Sequence, residues 1–337
     1  MSPRRLVIDC DPGNGIPGAD IDDGLAIALA LSAPHLLSLE MITVVSGNTH
    51  RDQGYSVART LLDRAGVDLP VYAGASSALV EPSGPWRVRQ DANSSKPEIL
   101  QAWADVRPPD RYDAASALGA AVRLVELVRE HPGEVTVVAI GPLTNIAHAI
   151  QLEPGFAGLV GEIVIMGGAF NVPGFLQELN FGIDPEAAQV VLSSGARITL
   201  VPLDATSQTL MTHADLDRLD PASSALAGYL VETTRPWIDL AAAWRNIDGC
   251  LLHDPLAVAL LIDPSIAEYS EQIVGVELRG GLTRSRPIAW TEQNLRLHVG
   301  LDLPPHTSTV RVVTVVDNQK LLNVLFDSYA SWSDPTP

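Results

Sequence analysis

Positive charge is scarce in this chain. Lysine occurs only at positions 96 and 320, and 22 lysine and arginine residues stand against 40 aspartate and glutamate residues, for a formal net charge of −18. An acidic surface repels phosphate backbones and anionic lipid head groups. We therefore expect neither nucleic acid nor a membrane surface as the main partner.

Cysteine is nearly absent, since only Cys10 and Cys250 occur. Two cysteines are too few for a disulfide framework and suit a reducing compartment, although a single bridge between them stays open. No apolar run approaches the roughly 20 residues of a membrane span. The N-terminal segment MSPRRLVIDC also lacks the apolar stretch of a signal peptide. We expect a cytoplasmic protein in which both thiols are free and buried.

Low-complexity segments and repeats of fixed period are missing too, so nothing in the 337 residues marks a domain boundary. Apolar runs of strand length alternate with helix-period segments through the first two thirds of the chain, as in parallel βαβ units. The pattern predicts one α/β domain over residues 1–337, with a Rossmann-like, open, mostly parallel central sheet flanked by helices. A β-rich stretch at 273–316 predicts a small antiparallel C-terminal extension.

The element boundaries follow from the apolar runs and from the glycines and prolines that end them. The predicted strands are 6–8, 39–45, 69–72, 135–140, 163–166 and 198–202. The predicted helices are 22–31, 52–64, 114–130, 143–152, 185–192, 225–243, 255–262 and 318–329. The stretch 73–111 is rich in proline, glycine and serine, which is typical of a long functional loop.

Carboxylates crowd the end of the first predicted strand. Asp9 and Asp11 follow this strand, and Asp22 and Asp23 begin the next helix. Open α/β sheets bind ligands at the carboxyl ends of their strands. A carboxylate at a helix start also caps free N–H groups, which explains Asp22 or Asp23 alone. Four clustered carboxylates would repel one another unless a cation neutralised them, and this favours a hard divalent ion, Ca²⁺ or Mg²⁺.

Two further segments place polar groups at comparable positions. In LLHDPLAVALLID, residues 251–263, His253 and Asp254 stand just ahead of an apolar helix whose first turn suits Pro255. In AIGPLTNIA, residues 139–147, a strand-to-helix turn offers main-chain carbonyls. Both segments are therefore predicted to bring oxygen ligands to the same edge of the sheet.

Several motifs in one order carry a family resemblance. They are DCDPG…DD, GN at 47–48, GPLTNIA at 141–147, IVIMGG at 163–168, ELNFGIDPEAA at 178–188 and HDPLAV at 253–258. Together they resemble the inosine–uridine-preferring nucleoside hydrolase family. Members of that family cleave the N-glycosidic bond of ribonucleosides with a tightly bound Ca²⁺. The resemblance implies this activity, a small-molecule nucleoside substrate, and a homodimer or homotetramer.

The resemblance also implies the protein ligands of the Ca²⁺ ion. They are the carboxylates of Asp11, Asp23 and Asp254 and the main-chain carbonyl of Ile140. Asp11 would in addition be the base that activates the metal-bound water, and Asp23 would bind the ion through both oxygens. Asp22 would reach the inner water shell and the ribose, and Asp9 would orient loop N–H groups or ligands from behind.

The sugar and the base have their own predicted contacts. The resemblance assigns the ribose hydroxyls to Asn48, Glu178 and Asn180. The alternatives are a turn residue for Asn48 and a solvated loop for the other two. Cleavage leaves negative charge on the departing base, so a nearby proton donor helps. His253 is the candidate, unless it only orients its neighbour, and Tyr229 and Trp244 either pack in the core or stack on the base.

The sequence departs from the family at three places. An insertion at 14–21 separates Asp11 from the DD pair, and its turn formers let it bulge away or bring Asn14 or Asp20 into the site. The HG motif expected near residues 75–90 is replaced by EPSGPWRVRQD, so the base preference stays open.

The third departure lies before the ELN motif. Many family members have a Gly-Asn pair there whose asparagine contacts the 5′ end of the sugar, whereas here Gly174 is followed by Phe175. The change predicts weaker or altered recognition of the 5′-hydroxyl, with Asn171 as a partial substitute.

Two rival functions are compatible with parts of the sequence. A strand followed by DCD also suits a haloacid-dehalogenase-like phosphatase, but that chemistry needs a cation for the phosphoryl group and neither lysine stands at a strand-to-helix turn. The second rival is a nucleoside- or ribose-binding protein on the same fold that has lost turnover. The presence of Asp11 and His253 disfavours it.

Overall fold

The structure is a computed structural model that describes residues 2–81, 84–291 and 308–332. Within these residues, strands β1 to β9 form one sheet in the order β3-β2-β1-β4-β5-β6-β9-β7-β8. The strands are β1 (Arg4–Cys10), β2 (Leu37–Val44), β3 (Val71–Ala73), β4 (Val135–Ala139), β5 (Glu162–Met166), β6 (Ile198–Val201), β7 (Ala267–Val276), β8 (Pro287–Trp290) and β9 (Thr309–Val316).

Helices cover both faces of the sheet, and two short 3₁₀ turns occur at Ala114–Ala117 and Pro264–Ile266. The helices are α1 (Asp22–Ser32), α2 (Arg51–Ala65), α3 (Gly84–Ser94), α4 (Pro97–Ala102), α5 (Ala120–Glu130), α6 (Thr144–Leu152), α7 (Phe156–Leu159), α8 (Leu179–Ile183), α9 (Pro185–Leu192), α10 (Leu203–Thr206), α11 (His213–Leu216), α12 (Ala225–Arg245), α13 (His253–Ile262) and α14 (Asn318–Ser331). In the described part of the chain, none of them combines the length and the apolar character needed to cross a membrane.

The sheet confirms the predicted fold class. Strands β3, β2, β1, β4, β5, β6 and β9 run parallel, whereas β7 is antiparallel to both β9 and β8. The chain leaves β1 toward β2 and later returns to β4 on the other side of β1. This reversal of strand order opens a crevice outside the carboxyl ends of β1 and β4, the usual ligand site of such sheets.

Helix α1 is buried along its whole length. Its sequence DDGLAIALALS is apolar on every side after the first turn, which suits a helix enclosed in a large protein. It packs against α13 and α14, and the first turns of α1 and α13 both face the crevice. Because α1 has no exposed face, the packing of its apolar residues holds its acidic first turn at the crevice.

Two sequence predictions of elements are wrong. Helices α3 and α4 lie within the stretch 73–111 that was expected to be irregular. The helix predicted over 114–130 is broken at Leu118 and Gly119, because Leu118 bridges to Ala73 at the edge of the sheet and Gly119 has a φ of 120°. The two cysteines are free and buried, as expected.

Candidate active site

A cavity of about 760 Å³ opens at the carboxyl ends of β1 and β4. This volume lies in the ordinary range for small-molecule sites. Its lining includes most of the predicted site residues, namely Asp11, Asp22, Asp23, Asn48, Ile140, Glu178, Asn180, Trp244, His253 and Asp254. Segments far apart in the sequence thus meet at the edge that the motifs predicted.

Three aspartates form the floor of the cavity. Asp22, Asp23 and Asp254 each offer a carboxylate oxygen within 4.8 Å of the other two, and all three residues are buried. Asp22 and Asp23 stand in the first turn of α1, and the Asp254 main-chain N–H donates to Asp22 Oδ2 at 3.0 Å. The start of α13 is thereby tied to the start of α1.

Asp11 lies beside this trio and is 2% exposed. Its main-chain N–H donates to Asp23 Oδ1 at 3.0 Å, and its Oδ2 accepts the main-chain N–H of Asn48. A β-carbon at Gly47 would stand 1.9 Å from Asp11 Oδ2. The carboxylate therefore occupies space that only a glycine at position 47 leaves open.

Burial makes this group of carboxylates costly to ionise. Burial raises the pKa of Asp11 to about 7, even though the Asn48 N–H lowers it. Burial and the neighbouring carboxylates raise the pKa values of Asp22, Asp23 and Asp254 well above the ordinary value. Hard oxygen donors that repel one another at one point fit a divalent cation such as Ca²⁺.

Asp9 stands behind Asp11 and does not line the cavity. Its Oδ1 accepts hydrogen bonds from Thr43 Oγ1 at 2.5 Å and from Asn145 Nδ2 at 2.7 Å, and burial raises its pKa to about 7. Asn145 Oδ1 in turn accepts the main-chain N–H of Ala75 at 2.8 Å. Asp9 thus bonds through Asn145 to the loop that follows β3.

Asn180 and Glu178 stand beside the predicted carbonyl ligand. Asn180 Nδ2 donates to the carbonyl oxygens of Ile140 and Met166 at 2.9 and 3.1 Å, so both of its N–H groups are used and its Oδ1 stays available. Glu178 caps α8 by accepting the main-chain N–H groups of Asn180 and Phe181. The site residues in this part of the cavity are thus held by main-chain bonds.

The insertion at 14–21 folds into the site region instead of bulging away. Asn14 is fully buried, and its Nδ2 donates to Thr233 Oγ1 at 3.1 Å. Asp20 lines the cavity, and its main-chain N–H and carbonyl bond both ends of the Asn48 side-chain amide at 3.0 and 2.9 Å. The amide predicted to grip the sugar is therefore already bonded within the protein.

His253 lines the cavity from the first turn of α13. Its Nδ1 lies 2.7 Å from Thr206 Oγ1, and burial lowers its pKa to about 4. The ring is therefore neutral at pH 7. If the hydroxyl of Thr206 donates to Nδ1, the ring carries its proton on Nε2.

The aromatic residues predicted to contact the base lie in different surroundings. Trp244 lines the cavity, is 45% exposed and lies under Lys96 Nζ, which is 4.7 Å from the ring centroid. Tyr229 does not line the cavity, because its hydroxyl donates to the carbonyl of Asn14 at 2.9 Å and its ring is buried. Asn171 is also absent from the lining; it is exposed, and its main-chain N–H donates to Asp204 Oδ1 at 2.8 Å.

Sequence reasoning missed one wall of the cavity. Helix α3 contributes Trp86, Arg89, Gln90 and Asn93 to the lining, at the i, i+3, i+4, i+7 spacing of one helix face. A helix is usually recognised in a sequence by apolar residues that recur every three or four positions. The residues that recur on this face of α3 are mostly polar, so the helix was not recognised. Trp237 of α12 also lines the cavity, although its side chain is buried.

Comparisons with known proteins agree on a family. The sequence model of the family described as inosine-uridine preferring nucleoside hydrolase matches residues 6–323. The chain is 31% identical to the inosine-uridine preferring nucleoside hydrolase of Leishmania major over 99% of both chains. It is 35% identical to uridine nucleosidase 1 of Arabidopsis thaliana over 82% of this chain and 79% of that protein.

A solved structure is similar over nearly the whole chain. It is a purine-preferring ribonucleoside hydrolase from Gardnerella vaginalis, with a TM-score of 0.78 and 29% sequence identity. The similarity covers 98% of this chain and 99% of that one. The names of these relatives mention different bases, so they do not identify the base that this chain prefers.

Proposed function

The chain belongs to the inosine-uridine preferring nucleoside hydrolase family, and we propose that it cleaves ribonucleosides to ribose and free base with a Ca²⁺ ion held at its aspartate cluster. One observation carries this proposal: three buried aspartates meet within 4.8 Å at the floor of the cavity, with Asp11 beside them. Family membership is incompatible with the phosphatase alternative and favours an enzyme over a binding protein.

The ion would be held by the predicted ligands. These are the carboxylates of Asp11, Asp23 and Asp254 and the carbonyl of Ile140. Asp23 and Asp254 meet Asp22 within 4.8 Å, whereas Asp11 and Ile140 line the same cavity outside that group. When bound, the cation would neutralise the carboxylates, orient sugar hydroxyls and lower the pKa of a water. Oxygen ligands of this number and charge suit Ca²⁺ better than a soft transition metal.

Asp11 is the proposed base. The Asn48 N–H fixes its Oδ2, and within the described residues its Oδ1 accepts no hydrogen bond. This oxygen can take a proton from the water that attacks C1′ of the ribose. The tight fit against Gly47 holds the carboxylate in one orientation, which lowers the cost of reaching the reactive geometry.

The sugar would be bound by Asp22, Glu178 and Asn180. Asn180 has a free Oδ1, and Glu178 keeps acceptor capacity because its two oxygens serve three main-chain N–H groups. Both can accept hydrogen bonds from ribose hydroxyls. These contacts would hold the ring while positive charge develops on it.

The departing base would face His253 and Trp244. The neutral ring of His253 can donate an Nε2 hydrogen bond to the base as the bond breaks, and it would transfer a proton only from its protonated form. Trp244 offers an exposed aromatic face to a flat heterocycle. Trp86 and Trp237 line the same cavity, so the base would lie among aromatic side chains.

The proposal is tested by assaying ribose release from inosine, adenosine, guanosine, uridine and cytidine, with and without Ca²⁺. We expect release from at least one nucleoside, loss of release after chelation, and recovery when Ca²⁺ is restored. Asp11→Ala should lower turnover by orders of magnitude while the circular dichroism spectrum stays unchanged. Full turnover by this variant would remove Asp11 as the base, and no release from any nucleoside would contradict the proposed function.

We further propose a cytoplasmic location and a homodimer or homotetramer. The two free, buried cysteines support a reducing compartment. The oligomeric state rests on the family resemblance. Sedimentation analysis of the purified protein would measure it directly.

A further inference from the structure

The side-chain amide of Asn48 has little left to offer a substrate. Its Oδ1 accepts the main-chain N–H of Asp20 at 3.0 Å and the side-chain amide of Gln90 at 3.4 Å. One N–H of its Nδ2 donates to the carbonyl of Asp20 at 2.9 Å, and Nδ2 is packed against Gly13. Both lone pairs of the oxygen are therefore used, whereas Asn180 keeps a free oxygen on the same cavity.

In contrast to Asn48, Asp20 has side-chain oxygens that can still accept hydrogen bonds. Its main chain holds Asn48, but its side chain lines the cavity and lies against the carboxylate of Asp22. One oxygen accepts the main-chain N–H of Ile21 at 2.9 Å. Among the described residues, no cationic side chain pairs with this carboxylate within 4.0 Å, so it faces the cavity with acceptor capacity to spare.

Burial and the neighbouring carboxylate of Asp20 make it harder for Asp22 to ionise, and the pKa of Asp22 is raised accordingly. A ligand that supplies hydrogen-bond donors to both ionised groups lowers this cost. The vicinal diol of a ribose supplies two O–H donors on adjacent carbons. Charged acceptors make shorter and stronger hydrogen bonds than neutral amides, so the pair formed by Asp20 and Asp22 suits a diol well.

We infer that Asp20, a residue of the insertion, is a sugar-binding residue of this enzyme and takes the hydroxyl contact that sequence reasoning gave to Asn48. Asn48 then acts as a positioning residue, because its amide fixes the main chain of Asp20 and its N–H fixes Asp11. This inference rests on the proposed ribonucleoside hydrolysis and names how the sugar is recognised.

The insertion is anchored firmly enough to place a ligand-binding group. Tyr229 and Thr233 of α12 bond the carbonyl and the Nδ2 of Asn14. A β-carbon at Gly24 would stand 2.1 Å from Asn14 Oδ1, so the insertion also fits closely against α1. A carboxylate on a segment that is anchored to two helices loses little freedom when it binds a hydroxyl.

The test compares substrates that differ by one hydroxyl. The values of kcat/KM for a ribonucleoside and for its 2′-deoxy and 3′-deoxy analogues are measured with saturating Ca²⁺ in the unmodified enzyme and in Asp20→Asn. The variant keeps the main-chain bonds to Asn48. We expect the unmodified enzyme to prefer the ribonucleoside strongly, and the variant to lose about 10- to 100-fold of this preference against one of the two analogues.

Three further variants accompany the test. Asp217→Asn removes a carboxylate that is exposed and paired with Arg235, and it should leave every ratio unchanged. Asp20→Ala repeats the measurement if Asp20→Asn does not fold. Asn48→Ala keeps the main-chain N–H to Asp11 but releases the main chain of Asp20, so it should lower the hydroxyl preference against the same analogue as Asp20→Asn.

Unchanged preferences in both Asp20 variants would overturn the inference. The same holds if Asp20→Asn only weakens the apparent affinity for Ca²⁺ and the hydroxyl preference returns at higher Ca²⁺. An unmodified enzyme that releases no sugar from any nucleoside would instead contradict the proposed function. The two failures are therefore distinguishable in one set of assays.

Discussion

At the scale of single residues, the narrow space between Gly47 and Asp11 is the most demanding feature of the site. Gly47→Ala would place a β-carbon 1.9 Å from Asp11 Oδ2 and displace the carboxylate or the turn. We expect a loss of kcat of at least about 100-fold, since misplacing a catalytic group by 1 Å is enough for this.

The matched control for this prediction is Gly281→Ala. A β-carbon at Gly281 has no neighbour within 4 Å among the described atoms, and its φ is not positive. Steady-state assays should give unchanged kinetics for Gly281→Ala. A fully active Gly47→Ala enzyme would contradict the role given to this turn.

His253→Ala should affect poor and good leaving groups differently. Natural bases leave poorly without a proton, so their kcat should fall by about 10²- to 10⁴-fold if His253 is the acid. A riboside whose leaving group is stable as an anion, such as 4-nitrophenol, should be hydrolysed nearly as fast as by the unmodified enzyme. Equal losses on both substrates would assign His253 a structural role.

Sequence predicted the positions of the aspartates at the cavity better than those of the aromatic residues, for a physical reason. Asp11, Asp22 and Asp254 stand next to strand or helix ends, and such ends of a parallel sheet meet at one edge. Tyr229 and Trp244 lie within one long helix, and helical spacing does not say which face meets a cavity. Trp244 lines the cavity, whereas Tyr229 is occupied by Asn14 of the insertion.

At the scale of elements, Asp184 joins three parts of the structure and should matter for stability. Its carboxylate accepts hydrogen bonds from Ala187 N at the start of α9, from Thr144 Oγ1 of α6 and from Leu79 N. Asp184→Ala leaves these donors unsatisfied in a buried place. We expect a loss of about 2–4 kcal/mol in the free energy of unfolding.

Chemical denaturation measures this loss, with Asp113→Ala as the comparison. Asp113 caps the 3₁₀ turn at Ala114–Ala117 through Ala115 N but is exposed. Its substitution should cost about 1 kcal/mol or less. Equal costs for the two variants would show that the contacts of Asp184 add nothing beyond a helix cap.

Elements with an apolar period were predictable, and elements that depend on distant contacts were not. The helix predicted from the apolar sequence of α1 ends one residue before the observed end at Ser32. Helix α3 presents a polar face to the cavity, so its period carries no hydrophobic signal. The break at Gly119 arises because Leu118 pairs with Ala73, a contact that no local pattern reveals.

At the scale of the whole molecule, the buried carboxylates link stability to pH and to the cation. Burial raises the pKa values of Asp9 and Asp11 to about 7, above the ordinary value of 3.8 that holds in the unfolded chain. Such groups take up protons on folding, so the metal-free protein loses stability as pH rises from about 4 through about 7.

A bound cation removes this penalty, because it stabilises the ionised carboxylates. Thermal unfolding of metal-free protein should therefore show a lower midpoint at pH 8 than at pH 5. Added Ca²⁺ should raise the midpoint more at pH 8 than at pH 5. A larger increase at pH 5 would have the wrong sign and would argue against a cation at these aspartates.

The fold class was accessible from sequence, but the strand order was not. Alternating apolar runs and helix-period segments predict a parallel sheet wherever they occur. The return of β9 to the side of β6, with β7 and β8 beyond it, depends on pairing between segments more than 100 residues apart. The sequence pattern of each strand is local and does not predict which other strands it pairs with.

The floor and the rim of the cavity come from different elements, and this has a consequence for how substrate preference can change. The floor comes from strand ends and from the starts of two buried helices, whereas α3 and α12 supply much of the rim. Under the proposed function, substitutions on α3 and α12 would therefore change the preferred nucleobase without touching the aspartates proposed to bind the ion and the sugar. A lineage built on this plan can acquire new substrates without rebuilding its chemistry.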